Sequence, residues 1–113
     1  MARGARPGYP PGMSELTSKQ RAHLRSLAHH LKPIHHIGGG GVSEAVLTSI
    51  LEAFNTRELV KVKVLEGAPE SARDTADQIV AALEDVHVAQ TIGRVAVLYR
   101  RHPEKPEIKL PRS

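Results

Sequence analysis

The chain has no cysteine and no tryptophan. Without cysteine, disulfides, thiol catalysis and cysteine-based zinc sites are excluded, and a reducing compartment suits the sequence. A cytoplasmic location is the expectation. Aromatic residues are scarce: Tyr9, Phe54 and Tyr99 are all there are. A core must therefore be aliphatic, and a nucleic-acid partner would find few rings on which to stack bases. No apolar run approaches the roughly 20 residues that cross a bilayer, so no membrane partner is expected. Residues 1–12 contain arginines but no apolar stretch of the kind a secretory signal needs. Met13 is a candidate original start, with the preceding twelve residues an extension.

At 113 residues with 40% apolar side chains, the chain has room for one domain. A formal net charge of +4 suggests a polyanionic partner. The distribution says more than the total. Residues 14–98 carry nine basic and ten acidic residues, so the excess lies in Arg3 and Arg6 and in the five bases of residues 99–113. Within the middle, residues 14–32 hold four bases against Glu15. Residues 66–85 hold Glu66, Glu70, Asp74, Asp77, Glu84 and Asp85 against Arg73 alone. Such polarity suggests one face for an anion and another kept away from it.

Pro7, Pro10, Pro11 and three glycines predict that residues 1–13 are disordered. Thr17 and Gln20 form a capping box that starts a helix, with Leu24, Leu27, Ala28 and Leu31 as its buried stripe and Pro33 as its stop. Residues 33–37 are a short strand candidate. Ser43 is a good N-cap and Glu44 suits the first turn of a second helix, which turns Val46, Leu47, Ile50, Leu51 and Phe54 inward. Residues 58–65 alternate β-branched residues with Lys61 and Lys63, the period of a strand. A third helix runs to about Asp85, with Ala72, Ala76, Ile79, Val80 and Leu83 inward. Strands over 86–92 and 94–100 flank Gly93 as a hairpin. The order α-β-α-β-α-β-β predicts a two-layer α/β domain, with three helices and a mixed four-stranded sheet whose first strands are parallel. The domain is expected over 14–101, followed by a basic tail, 102–113, without periodicity.

Gly38-Gly39-Gly40-Gly41 follows a strand and opens a helix, where backbone amides and the helix dipole can hold a phosphate. A nucleotide P-loop needs G-K-[ST] after its glycines, but Val42-Ser43-Glu44 follows here. A dinucleotide fold needs a third glycine where Ser43 stands, and a larger sheet. A G-x-x-G loop that clamps a nucleic-acid backbone, as in KH domains, fits. The basic set that would grip neighbouring phosphates is Lys19, Arg21, Arg25, Lys32, Lys61, Lys63, Arg94, Arg100 and Arg101, with four of these on the first helix. His29, His30, His35 and His36 lie close in sequence, but Pro33 and alternating strand directions point them apart, and no metal site or other cofactor is expected. Ser43 has histidines nearby in sequence but no nucleophile elbow, so no catalytic constellation is expected.

The runs L-T-S-K-Q-R-A-H-L-R-S-L-A-H-H-L-K-P-I, I-G-G-G-G-V-S-E-A-V-L and E-L-V-K-V-K-V resemble the CRM domain. I-G-R-V-A-V-L-Y-R-R and I-K-L-P-R resemble its single-domain, YhbY-type bacterial members. The resemblance covers about residues 14–112. It implies a fold similar to the C-terminal domain of translation initiation factor three. It also implies RNA binding during assembly of the large ribosomal subunit; organellar relatives serve group II intron splicing. The family's G-x-x-G loop falls on Gly38–Gly41, its basic first helix on Lys19, Arg21 and Arg25, and its closing Y-R on Tyr99 and Arg100. Many family loops carry a polar or basic residue between the outer glycines. Gly39 and Gly40 offer backbone alone, which implies a clamp blind to sequence.

The expectation is a monomeric, non-enzymatic protein that binds RNA, specifically ribosomal RNA in a precursor of the large subunit. The alternatives are a DNA-binding or nucleoid protein, and an adaptor docking through the acidic third helix. Gly38→Asp and Gly41→Asp are expected to weaken RNA binding without unfolding the domain.

Overall fold

A computed structural model describes residues 16–111. The order is α1 (Ser18–Ala28), β1 (His35–Ile37), α2 (Glu44–Phe54), β2 (Leu59–Val64), α3 (Ala72–Ala82), β3 (His87–Ile92) and β4 (Val95–Tyr99). Each helix begins where the sequence supplies a cap. Thr17 Oγ1 accepts from the Gln20 N–H at 3.1 Å, and Gln20 Oε1 accepts from the Thr17 N–H at 3.0 Å. Ser43 and Ser71 accept from Val46 and Asp74 in the same way. Each cap satisfies a backbone donor that the helix itself leaves over.

The strands are ordered β1-β2-β4-β3. β1 and β2 are parallel, and β4 is antiparallel to both β2 and β3. The closing hairpin turns at Gly93, whose φ of 56° lies in the left-handed region that a two-residue hairpin loop requires. β4 thus inserts between β2 and β3, and the expected mixed four-stranded sheet with three helices is what forms.

The layering differs from expectation. Strand residues alternate between two separate cores. Val60, Val62, Ala96 and Leu98 pack with Ile50 and Phe54 of α2 and with Ala76 and Ile79 of α3. Leu59, Ala89, Val97 and Tyr99 pack on the opposite face with Leu16, Leu24 and Ala28 of α1. The domain is therefore α1, sheet, then α2 with α3: three layers instead of two. The physical reason is that every second residue of β4 is apolar on both faces, so a single helical layer would leave Val97 and Tyr99 in water.

α1 is also shorter than its apolar pattern suggests. It ends at Ala28, five residues before Pro33. Leu24 and Ala28 are buried, but Leu27 and Leu31, expected in the same stripe, are 41% and 37% exposed. Lys32 accordingly lies beyond the helix, which carries three of the four expected bases.

The segment after β4 has no regular structure, yet it belongs to the fold. Ile108 and Leu110 pack against the α1-side core, and Gln20 Nε2 donates to the Pro111 carbonyl at 2.9 Å. The boundary expected at residue 101 falls inside a continuous packed unit. The expected disordered residues 1–13 and the candidate start Met13 lie outside the described residues, as do Arg112 and Ser113.

Candidate nucleic-acid interface

The glycine loop sits at the end of the sheet where β1 and β2 finish. Leu65 N–H donates to the Ile37 carbonyl at 2.8 Å, which carries the β1–β2 pairing to the loop's threshold. Gly41 N–H donates to the Gly38 carbonyl at 2.9 Å, closing a turn. Gly41 has φ 65°, and a Cβ there would meet Pro69 Cγ at 3.0 Å, so both backbone and space call for glycine. The middle of the loop is different. Gly39 and Gly40 are exposed, and a Cβ on Gly40 would meet nothing within 4 Å. Among the described residues nothing accepts from their N–H groups.

These two amides, adjacent and unused, are the donors an anion would find. The mouth of α2 offers less than the sequence suggests. Its Val46 N–H is already taken by Ser43, and Glu44 places a carboxylate in the first turn. The loop's centre, not the helix end, therefore presents the free backbone donors.

Beside the loop lies the α1-side face of the sheet. The registers place His36, Lys63, Val95 and Ile92 in one row across all four strands. The next row brings Lys61, Val97 and Gln90 together, with Ile34 joined to Lys61 through its N–H. α1 covers Val97 and the row beyond, but not the row nearest the loop: His36 and Lys63 are exposed, and Ile92 is 62% exposed. Lys61 Nζ donates to the Leu31 carbonyl at 3.0 Å, which holds the segment leaving α1 against this face.

The remaining bases are scattered. Lys19 and Arg25 are exposed on α1, while Arg21 is half-buried and donates to the Leu16 carbonyl at 2.7 Å. Lys32 is exposed on the link to β1. Arg94 sits on the hairpin turn next to the open row and approaches Glu66 at 3.7 Å, an exposed pair that contributes little to stability. Arg100 and Arg101 follow β4 at the opposite end of the sheet, where the Arg100 N–H donates to the Glu58 carbonyl. The length of β2, about 20 Å at 3.3 Å per residue, separates them from the loop. The structure thus gathers Gly38–Gly41, Lys61 and Lys63, with Arg94 at the margin, and leaves Arg100 and Arg101 apart. His36, weighed in the sequence as one of four clustered histidines, joins this surface, as does Ile92, which charge and motif reasoning passed over. The signal for them was strand parity: His36 is two residues before the loop, and Ile92 closes the last hairpin.

The acids of residues 66–85 are all exposed: Asp74 and Asp77 lie on α3, which packs on the face opposite α1, and Glu84 and Asp85 just follow it, whereas Glu66 lies beside Arg94 at the margin of the open row. Among the described residues, no three His, Cys, Asp or Glu side chains come together to hold a metal ion. His29 and His30 meet each other edge to face, 5.2 Å between ring centroids.

Comparison with known proteins agrees with this architecture. Residues 16–100 match the CRS1 / YhbY (CRM) domain. A Bacillus subtilis (strain 168) protein named "Probable RNA-binding protein YqeI" is 44% identical over 96 residues, spanning 85% of this chain and 99% of its own. A Haemophilus influenzae protein named "RNA-binding protein" is 43% identical over 101 residues, 89% of this chain and all of its own. The solution structure of the Staphylococcus aureus hypothetical protein SAV1595 is 40% identical and superposes with a TM-score of 0.72, covering 85% of this chain and 99% of that one. The chain belongs to the CRS1/YhbY (CRM) domain family.

Proposed function

We propose that this protein is a non-enzymatic RNA-binding protein that acts on ribosomal RNA in a precursor of the large ribosomal subunit. The observation that carries RNA binding is the pair of exposed, unused amides at Gly39 and Gly40 beside a sheet face bearing Lys61, Lys63 and His36. Backbone N–H groups hold a phosphate without reading its base, and the lysines neutralise its neighbours. The acidic face around α3 repels the same polyanion and so orients the encounter. The names of the relatives support RNA as the partner. The ribosomal assignment rests on the family resemblance. In the same reading the protein acts as a monomer in the cytoplasm.

The test is an RNA titration with Gly39→Asp and Gly40→Asp. Both side chains enter open space: the nearest atom to a Gly39 Cβ is the Gly67 carbonyl oxygen at 3.7 Å. The fold should survive, while a carboxylate occupies the place of the phosphate. Affinity should fall about tenfold or more, the weight of a charge-assisted hydrogen bond. Wild-type affinity in both variants would remove the loop from the interface. Gly41→Asp is a poorer probe, because its φ and the contact with Pro69 would disturb the fold itself.

A further inference from the structure

We propose that the row His36–Lys63–Val95–Ile92 is a platform for unstacked bases, so that the RNA held at the glycine loop is single-stranded. This rests on the reading above and adds the form of the RNA and the path it takes. The row is continuous with the loop, since Gly38 follows His36 by two residues on the same strand end. It crosses the whole sheet, three strand spacings or about 14 Å.

Its chemistry is mixed in a specific way. His36 and Lys63, with Lys61 in the next row, supply positive charge or hydrogen-bond donors on the β1–β2 side, and neither row contains an acidic side chain. Val95 and the 62% exposed Ile92 supply an apolar surface on the hairpin side. A polyanion with apolar faces complements both halves. Duplex RNA does not, because its base faces are stacked inside and its shallow groove shows only 2′-hydroxyls and base edges. An unpaired strand presents phosphates on one side and base faces on the other. With Phe54 and Tyr99 both buried, no phenyl or phenol ring among the described residues offers a stacking surface, so the exposed His36 imidazole and the aliphatic surface of Val95 and Ile92, beside a backbone clamp, have to hold the bases.

The experiment compares an unstructured 12-nucleotide RNA with an RNA duplex of the same length by fluorescence anisotropy at one salt concentration. It uses the full chain, Gly39→Asp, and Ile92→Gln, a neutral change that keeps size and removes apolar surface. The expected result is tighter binding of the single strand by wild type. Ile92→Gln should bind the single strand about fivefold more weakly, as losing some 40 Å² of apolar contact would require, and should leave duplex affinity unchanged. Gly39→Asp should weaken both. Preference for the duplex, or an Ile92→Gln protein indistinguishable from wild type on the single strand, overturns the platform while leaving the clamp standing. A Gly39→Asp protein that binds both RNAs like wild type overturns the underlying reading instead.

Discussion

Glu58 is the residue on which the C-terminal segment depends. It is 5% exposed. Its carboxylate accepts from the backbone N–H groups of His102 (2.7 Å), Glu107 (2.8 Å) and Ile108 (2.7 Å). Burial alone would push its pKa up. The three N–H donors outweigh burial and hold the carboxyl below its ordinary value of 4.5. A folded-state pKa that is depressed gives stability that is present above the unfolded value and lost as pH falls through the folded one. Urea unfolding should therefore show wild-type stability falling as pH drops below 4.5, with a steeper fall than in Glu58→Gln. At neutral pH that variant should be less stable by about 1–3 kcal/mol, since an amide cannot accept all three bonds at charge-assisted strength. Equal stability of the two proteins at neutral pH would show that the carboxylate does not hold the segment. Glu58 was not legible as a functional position. In sequence it is an ordinary acid before a strand, and its partners lie more than forty residues away.

At the scale of elements, local chemistry was readable and the side to which each element packs was not. The capping box at Thr17 and Gln20, the N-cap at Ser43 and the alternation of β2 each depend on residues a few positions apart, and each formed as expected. Leu27 and Leu31 satisfied helical spacing yet stayed exposed: α1 turns Leu24 and Ala28 to the sheet, and Leu31 lies beyond the end of the helix at Ala28. The final segment shows no period because side-chain acceptors organise it. Besides Glu58, His102 Nδ1 accepts from the Glu104 and Lys105 N–H groups at 3.1 and 2.9 Å. This segment covers part of the α1-side core through Ile108 and Leu110. Truncation after Arg101 should therefore lower the thermal midpoint markedly, as removal of two half-buried aliphatic side chains and of three charge-assisted hydrogen bonds requires. A midpoint unchanged in differential scanning calorimetry would show that 102–111 is an appendage.

At the scale of the whole molecule, charge and layering divide the labour. α2 and α3 close one face of the sheet, and α3 carries the exposed Asp74 and Asp77. α1 closes only part of the other and leaves the row beside the glycine loop open. The position of the glycine loop was legible, since four glycines between a strand and an N-cap mark where the chain turns from β1 into α2. Which of its amides are available was not, because that depends on the Gly41–Gly38 turn and on Ser43. The central claim is that RNA meets this open end of the sheet. It is tested most directly by an NMR titration of the isotope-labelled protein with a short single-stranded RNA. The account predicts chemical-shift changes concentrated at the amides of Gly38–Val42 and at His36, Lys63 and Ile92, with α3 unmoved. Changes confined to α3, or to Arg100 and Arg101 at the far end of the sheet, would contradict it.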